Sequence, residues 1–337
     1  MSGQGYLEHS EKAVEPDSRF KHVMAISLDP TSNYQEGVIR CITSRSGEIG
    51  IKGNLDRSVL HFVRKNQSGK FEIQERLQIE NEEEIVGELL KDGGDFIGLE
   101  DADIWIDEKT GLKHLYFTIP IIFPDAHEKN EIHLGHAVGK DLKSLEMIAP
   151  ALLSVNNERA KEVSIAPVNK KGFRHNLVES SNRINGVGYS TVKTAIAEDM
   201  GKPWKFGDVV FHPAEHKIPW IGGHASPGPL FPKDFIDVGE GRLLGIINGR
   251  EANTKVGSEI RYGIFSVGLF IYNFEQGKID WVTPTPFIID SEAKNITFAS
   301  QFVPMGREKG ILYAHVDDSF VRAYDLNVND LLIAIKE

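Results

Sequence analysis

The sequence predicts an all-β protein, and its hydrophobic pattern is the main reason. Short apolar or alternating runs, such as residues 38–42 and 58–63, recur along most of the 337 residues, and this pattern is typical of β-strands. Turns that contain glycine or asparagine separate these runs. Only residues 82–91 have a weakly helical pattern. We therefore expect strands to form nearly all of the core.

A longer repeat predicts how these strands are arranged. Units with a polar or glycine-rich opening, a strand, a turn and a second strand begin at Gly98, Lys161, Gly222 and Ile296. Their spacing of roughly 60 to 75 residues is near the upper end for four-stranded propeller blades. Since the N-terminal strands add a fifth unit, we predict a five-bladed β-propeller that forms one domain over residues 20–337. The rival arrangement is a pair of β-sandwiches.

Composition restricts the partners and the compartment. The formal net charge of −11 argues against a nucleic acid or an anionic membrane as partner, because both are bound through basic patches. The single cysteine, Cys41, excludes an internal disulfide and a multi-cysteine metal site, and it fits a reducing compartment. No apolar run approaches the roughly 18 residues of a transmembrane helix. We expect a soluble, cytoplasmic protein.

Residues 1–19 are polar and charged and lack the apolar core of a signal peptide. We therefore predict a flexible N-terminal tail. A homo-oligomer in which this tail becomes ordered against a neighbouring subunit is also compatible with the sequence.

An acidic cluster opens the second unit. Glu100, Asp101 and Asp103 lie within four residues, directly before a predicted β-hairpin. Carboxylates this close raise one another's pKa, which is one way to keep a carboxylic acid protonated near neutral pH. A solvated acidic loop is the alternative interpretation.

Several segments, in the correct order over about residues 98–331, resemble glycoside hydrolase family 130, the β-mannoside phosphorylases and related β-mannosidases. Gly98-Leu99-Glu100-Asp101 resembles the family motif Gly-Val-Glu-Asp-Pro-Arg, whose Asp is the catalytic acid. The other similar segments are 161–173, 221–249, 261–287 and 313–321, the last of which places Asp318 at a family Asp. The resemblance implies a five-bladed propeller that cleaves glycosides.

Cleavage of a glycosidic bond needs two carboxyl groups. The resemblance makes Asp101 the acid, although Asp101 could instead cap a turn while Glu100 or Asp103 acts. Glu162 opens the next unit and is the second candidate, as the base in a family-130-like site or as the acid in a family-43-like site. Alternatively, Glu162 is an exposed strand-end residue paired with Lys161.

Polar side chains at the predicted strand openings suit the hydroxyl groups of an oligosaccharide or glycoside substrate. The candidates are Asp29, Arg40, Glu100, Asp103, His224, Asn248, Arg250 and Asp318. Asp29 could also be a first-blade carboxylate or an ordinary turn residue before Pro30.

No cofactor is predicted, because no glycine-rich nucleotide loop follows a strand. No metal is predicted either. His212 and His216 have a zinc-like spacing, but Pro213 interrupts it and no helical pattern surrounds it.

The departures from the family pattern concern phosphate. Asp103 stands at the position of a family Arg, Asn248 at that of a His, and Glu179-Ser180 at that of a His-Arg pair. Phosphate binding needs cations, so we predict water as the nucleophile and a glycoside hydrolase. The alternatives are a phosphorylase that uses Arg40, Arg45, Arg183 or Arg250, and a carbohydrate-binding propeller without catalysis.

Overall fold

The computed structural model describes residues 5–124, 126, 129–155 and 158–336. Strands dominate this part of the chain, as the sequence predicts. Its α-helices are three and short: α1, Glu82–Leu89; α2, Pro213–His216; and α3, Val328–Ala334. None of the helices in the described ranges has the length and apolar character needed to cross a membrane. The all-β prediction is therefore confirmed, and α1 coincides with the weakly helical segment.

Twenty-four strands are present in the described residues. Strands β1 to β12 are, in order, Tyr6–Val14, Val23–Leu28, Glu36–Ser46, Leu55–Lys65, Phe71–Arg76, Ile79–Glu80, Asp95–Phe96, Glu100–Ile106, Lys113–Ile122, Glu131–Gly139, Leu145–Leu152 and Lys161–Ser164. Strands β13 to β24 are Arg174–Ile184, Val187–Ala197, Lys205–Phe211, His224–Leu230, Arg242–Arg250, Thr254–Val256, Glu259–Arg261, Phe265–Asn273, Lys278–Val282, Thr297–Pro304, Lys309–Val316 and Phe320–Asn327.

The strands pair mostly with their neighbours in the chain. Five runs of four antiparallel strands result: β2-β3-β4-β5, β8-β9-β10-β11, β12-β13-β14-β15, β16-β17-β20-β21 and β22-β23-β24-β1. The first three runs are continuous in sequence order, the fourth is interrupted by the separate β18–β19 hairpin, and the last is completed by the N-terminal strand. Short connections between antiparallel neighbours explain this order.

Apolar side chains pack between successive runs, and the last run packs against the first. Leu60 and Leu115 share one cluster, Tyr116 and Val178 the next, Leu177 and Ile247 the third, Leu244 and Leu312 the fourth, and Ile39 and Val321 the fifth. The core is therefore a ring of inter-sheet layers. The first strand of each run lies at the centre of this ring, and β2 is buried along its whole length.

The expectation of a flexible tail over residues 1–19 is wrong for Tyr6–Val14. This segment is β1, which pairs with β24 from Tyr6↔Leu326 to Val14↔Val321. Strand β1 is the outermost strand of its run, and most of its residues are polar and at least partly exposed. An outer strand carries too little apolar alternation to be found from sequence.

A buried arginine ties β24 to its surroundings. Arg322 is 1% exposed. Its Nε lies 2.6 Å from Asp290 Oδ2, its Nη2 lies 2.5 Å from Glu292 Oε1, and its Nη1 donates to the carbonyl of His9 in β1 at 2.9 Å. This network fixes the last run to the strand that completes it.

We expect Arg322→Leu to lower the free energy of unfolding by about 3–5 kcal/mol, because it leaves the buried Asp290 carboxylate without its partner. Urea denaturation measures the loss. Arg64→Leu is the matched control, since Arg64 forms an exposed ion pair with Glu36 and should cost less than about 1 kcal/mol. Equal small losses in both variants would show that the Arg322 network does not hold the run together.

Candidate active site

The acidic cluster lies where the first strands of neighbouring runs begin. Strand β8 starts at Glu100 and β12 starts at Lys161. Gly98 directs the chain into β8, because a Cβ there would meet Ser58 O at 1.8 Å, so only glycine fits. The first strands thereby present their opening residues to one another at the centre of the ring.

The same backbone irregularity occurs in β2, β8 and β12. Ala25, Asp101 and Glu162 each have a positive φ, between 47° and 49°, at a shift in strand register. Non-glycine residues adopt this conformation at a cost of roughly 1–3 kcal/mol, and such strain concentrates at functional sites. In the first run the position holds an alanine, so that run contributes no carboxylate here.

Two cations bind the acidic cluster. Arg40 of β3 donates from Nη2 to Glu100 Oε1 at 2.5 Å and from Nη1 to Asp101 Oδ1 at 3.0 Å. Lys161 Nζ lies 2.9 Å from Asp101 Oδ2, 3.5 Å from Glu100 Oε2 and 3.9 Å from Glu162 Oε1. Three successive runs therefore meet in one charged cluster, and the sequence-predicted Arg40, Glu100, Asp101 and Glu162 lie together.

Their surroundings shift the pKa values of Asp101 and Glu162 in opposite directions. Burial would raise the pKa of Asp101, but the charges of Arg40 and Lys161 bring it well below its usual range. Burial and the negative charge of Asp101 raise the pKa of Glu162 well above its usual range, and the two side chains share a hydrogen bond. Of the two carboxyl groups, Glu162 is therefore the one that keeps a proton to higher pH.

This arrangement changes the roles expected from sequence. The motif position makes Asp101 the acid, yet the carboxyl group that keeps a proton is Glu162. Two carboxyl groups that share a hydrogen bond also lie closer together than the roughly 5 to 9.5 Å that separates the two catalytic carboxyl groups of glycosidases.

Glu179 is an ionised carboxylate beside this pair, and the sequence analysis did not propose it as a site residue. It is the register partner of Lys161 across β12 and β13. Burial would raise its pKa, but His224, whose Nε2 lies 3.0 Å from Glu179 Oε2, and Lys161 bring the pKa to about 2. The charge of Glu179 also acts on Glu162.

Asp318 and His315 lie on the other side of Arg40. His315 Nε2 is 3.1 Å from Asp318 Oδ1, and this bond lowers the pKa of Asp318 against the effect of burial. Arg45 bonds to both oxygens of Asp56 at 2.7 Å and donates to the Asp318 carbonyl at 3.1 Å. Asp318 therefore borders the cluster, since its charge and that of Arg40 act on each other.

Two candidate binding residues do not reach the site. Asp29 caps a short helical turn and pairs with Lys113. Lys113 pairs with Ile106, which is at the end of β8 farthest from Glu100. Asn248 is fully buried, and its side chain bonds both to Ala299 N and to Ala299 O. The structure corrects both assignments, because these side chains satisfy local backbone and ion-pair demands.

Asp103 lines, together with Asp101 and Glu162, an axial cavity of about 210 Å³ to which all five first strands contribute. Burial raises its pKa to about 7. Its closest hydroxyl is Ser27 Oγ at 3.5 Å.

The His212 segment has a structural role: the His212 ring accepts from Ala214 N and caps α2. Across the described ranges, no three or more His, Cys, Asp or Glu side chains are grouped to hold a metal ion.

Sequence comparison places the chain in no known group: no family model matches it, and no curated protein matches it. Solved structures do match over nearly the whole chain. The β-1,2-mannobiose phosphorylase of Listeria innocua is 13% identical, with TM-score 0.64 over 98% of this chain and 99% of that one. A glycosyl hydrolase from Bacteroides ovatus is 16% identical, with TM-score 0.66 over 97% and 94%.

A third structure, 16% identical with TM-score 0.65 over 97% of this chain and 94% of that one, comes from work on the GH130 family of mannoside phosphorylases. That work describes glycoside hydrolases that target β-1,2 mannosidic linkages in Candida mannan. The chain therefore has the fold of these proteins, and the predicted likeness to family 130 is confirmed at the level of structure.

The protonation of the pair can be tested directly. We expect Asp101→Asn to lower the pKa of Glu162 toward the ordinary value of about 4.3, because it removes the negative charge that helps to keep the proton on Glu162. Lys161→Met should shift the pKa upward, since it removes a cation. Carbon-13 NMR of glutamate labelled at the side-chain carboxyl measures both shifts, with Glu162→Gln identifying the resonance.

Asp103→Asn is the matched control, because Asp103 lines the same cavity but is not among the main charges that act on Glu162. A Glu162 pKa that stays unchanged in Asp101→Asn would contradict the shared proton.

Proposed function

We propose that this protein is a glycoside hydrolase that cleaves a β-mannoside. The observation that carries the proposal is the buried cluster itself: Glu162, whose pKa is raised, shares a hydrogen bond with Asp101, whose pKa is lowered, next to a separate carboxylate, Glu179, whose pKa is also lowered. Acid-catalysed departure of a sugar needs a buried protonated carboxyl, and attack by water needs a carboxylate base. The fold shared with a mannobiose phosphorylase and a glycosyl hydrolase supports the same substrate class.

We also propose that the five antiparallel runs are five blades of one propeller, with the site at the centre of one face. The closed ring of apolar clusters and the five first strands around the axial cavity support this arrangement. The domain then includes β1 as well as residues 20–337. A cytoplasmic location stays a prediction from the sequence, as does homo-oligomerisation.

In the proposed reaction, Glu162 donates its proton to the oxygen of the leaving group. Asp101 acts on Glu162 as a positioning residue, since its charge keeps the proton available near neutral pH. Arg40 and Lys161 hold Asp101 ionised and oriented. Activity should fall as the pH rises through the raised pKa of Glu162, because the acid is then deprotonated.

Glu179 is the proposed base. It accepts a proton from a water molecule that attacks the anomeric carbon, and His224 holds its carboxylate in place. Since the pKa of Glu179 is about 2, the base remains ionised over the whole range in which proteins are usually stable. Direct attack by water inverts the anomeric configuration.

Phosphorolysis is the second candidate function. Of the four arginines considered for phosphate, Arg40 and Arg45 are occupied by carboxylates. Arg250 and Arg183 form no ion pair in the described chain, which favours an anion nearby. The negative charge of Glu179 beside Glu162 opposes a phosphate dianion at the position of the nucleophile, so hydrolysis is the better supported reaction.

We expect Glu162→Gln and Glu179→Gln to respond differently to the leaving group. Glu162→Gln should lose roughly 10²- to 10⁴-fold in kcat/KM on β-1,2-mannobiose, whose leaving group needs a proton. It should lose much less on 2,4-dinitrophenyl β-mannoside, whose leaving group departs unprotonated. Glu179→Gln should lose activity on both substrates, because the attack by water is impaired in each.

Each substrate is assayed with and without inorganic phosphate, and the Arg307→Gln variant, altered in a distant turn, is the control. Turnover that depends on phosphate would establish the phosphorylase instead. If Glu162→Gln retained full activity on mannobiose, Glu162 would be excluded as the acid.

The stereochemistry gives an independent test of the base. Proton NMR during early turnover of 2,4-dinitrophenyl β-mannoside should show α-mannose as the first product. First-formed β-mannose would mean that a carboxylate attacks the sugar directly, in place of a water molecule activated by Glu179.

A further inference from the structure

Two partly or fully buried arginines near Glu179 lack the partners that other buried arginines have. Arg40, Arg45 and Arg322 each bond to a carboxylate. Arg159 and Arg250 form no ion pair within the described residues. This contrast matters because a desolvated cation without an anion is costly, so proteins nearly always pair it.

Arg159 precedes β12 and has no hydrogen-bond partner in the part of the chain that the structure describes. Its Nε is buried and unsatisfied. Burial lowers the pKa of Arg159; Glu179 opposes this effect only in part, and the like charge of Arg183 adds to it. The negative charge of Glu179 therefore compensates the burial of Arg159 only in part.

Arg250 ends β17 and is 8% exposed. Its guanidinium lies 4.7 Å from the ring centroid of Tyr262 and 5.4 Å from that of Phe265, and Nη1 contacts Asn253 Oδ1. These rings hold the planar group in a fixed orientation without neutralising it. Burial lowers the pKa of Arg250 as well.

Strand register brings both arginines close to Glu179. Arg159 lies two residues before Lys161, the register partner of Glu179. Arg250 is the register partner of His224, whose Nε2 lies 3.0 Å from Glu179 Oε2. The charge of Glu179 accordingly acts on both arginines.

Arg183 acts on Arg159 and adds a third, exposed cation in the β13–β14 hairpin. The main charges on Glu162 come instead from Asp101, Lys161 and Glu179. In a chain of net charge −11, this local excess of cations stands out.

We propose that Arg159, Arg183 and Arg250 form a subsite for an oxyanion carried by the substrate, a carboxylate or a phosphate ester on one of its sugar units. This inference rests on the proposed function and specifies its substrate class as acidic glycosides. A neutral sugar hydroxyl cannot offset a buried guanidinium, whereas an oxyanion accepts charge-assisted, bidentate hydrogen bonds from it. Inorganic phosphate is disfavoured as the nucleophile, because it would have to replace the water beside the Glu179 carboxylate, which repels a dianion.

The test uses Glu162→Gln, which should bind substrate without turning it over. Isothermal titration calorimetry compares methyl β-mannoside, whose leaving group needs a proton, with its C6 carboxylate and its 6-phosphate. We expect at least one acidic ligand to bind about 10- to 100-fold more tightly than the neutral one. Arg159→Gln and Arg250→Gln, each added to Glu162→Gln, should remove most of that preference, and Arg307→Gln should leave it intact.

Equal affinity for the neutral and acidic ligands, or a preference that survives both arginine substitutions, would overturn the subsite. The subsite would also be overturned if turnover required inorganic phosphate and if the affinity for phosphate depended on Arg159 and Arg250. Hydrolysis of the neutral mannoside in the wild type tests the proposed function separately. Hydrolysis without acidic preference rejects the subsite alone, whereas acidic preference without hydrolysis of any of the three ligands rejects the hydrolase alone.

Discussion

The ion pairs of Asp101 with Arg40 and Lys161 are the interaction on which the candidate site depends. They join β3, β8 and β12, which belong to three different runs. Buried ion pairs contribute little net stability, because desolvation offsets most of the Coulombic attraction. Their effect here is on protonation. With Asp101 held ionised, its neighbour Glu162 can neither lose its proton easily nor turn away without breaking their hydrogen bond.

The backbone supports this electrostatic arrangement. Asp101 and Glu162 occupy equivalent bulges in successive runs, with nearly identical positive φ angles. The bulge turns both side chains toward the axis at the opening of the strand, where they meet. Ala25 keeps the same bulge in the first run. The bulge is thus a feature of the repeated unit, and its chemical role depends on which side chain each run carries at that position.

Much of the fold and part of the site follow from local sequence. The hairpin that begins at Glu100 was predictable because apolar runs and a glycine turn specify it. The pairing of Glu179 with His224 was not, since it depends on two runs packing side by side. Asp29 was assigned to the site from sequence, but a carboxylate before proline is equally suited to a turn, and Asp29 caps a turn in the structure. The outer strand β1 was not predicted from sequence because its exposed residues are polar.

Protonation is the property that sequence was least able to give. A motif position identifies Asp101, but its pKa depends on Arg40, which lies 61 residues away in the chain, and on Lys161, which comes from the next run. The case against phosphate changes for the same reason. Asp103, which replaces a family arginine, lines the axial cavity with Asp101 and Glu162. Burial raises its pKa to about 7, so near neutral pH it repels an anion less than an ordinary aspartate does. Glu179 is ionised, and its charge acts on Glu162. A carboxylate at that position favours water, which it can deprotonate, over phosphate, which it repels. The unpaired arginines near Glu179 can then act on the substrate itself.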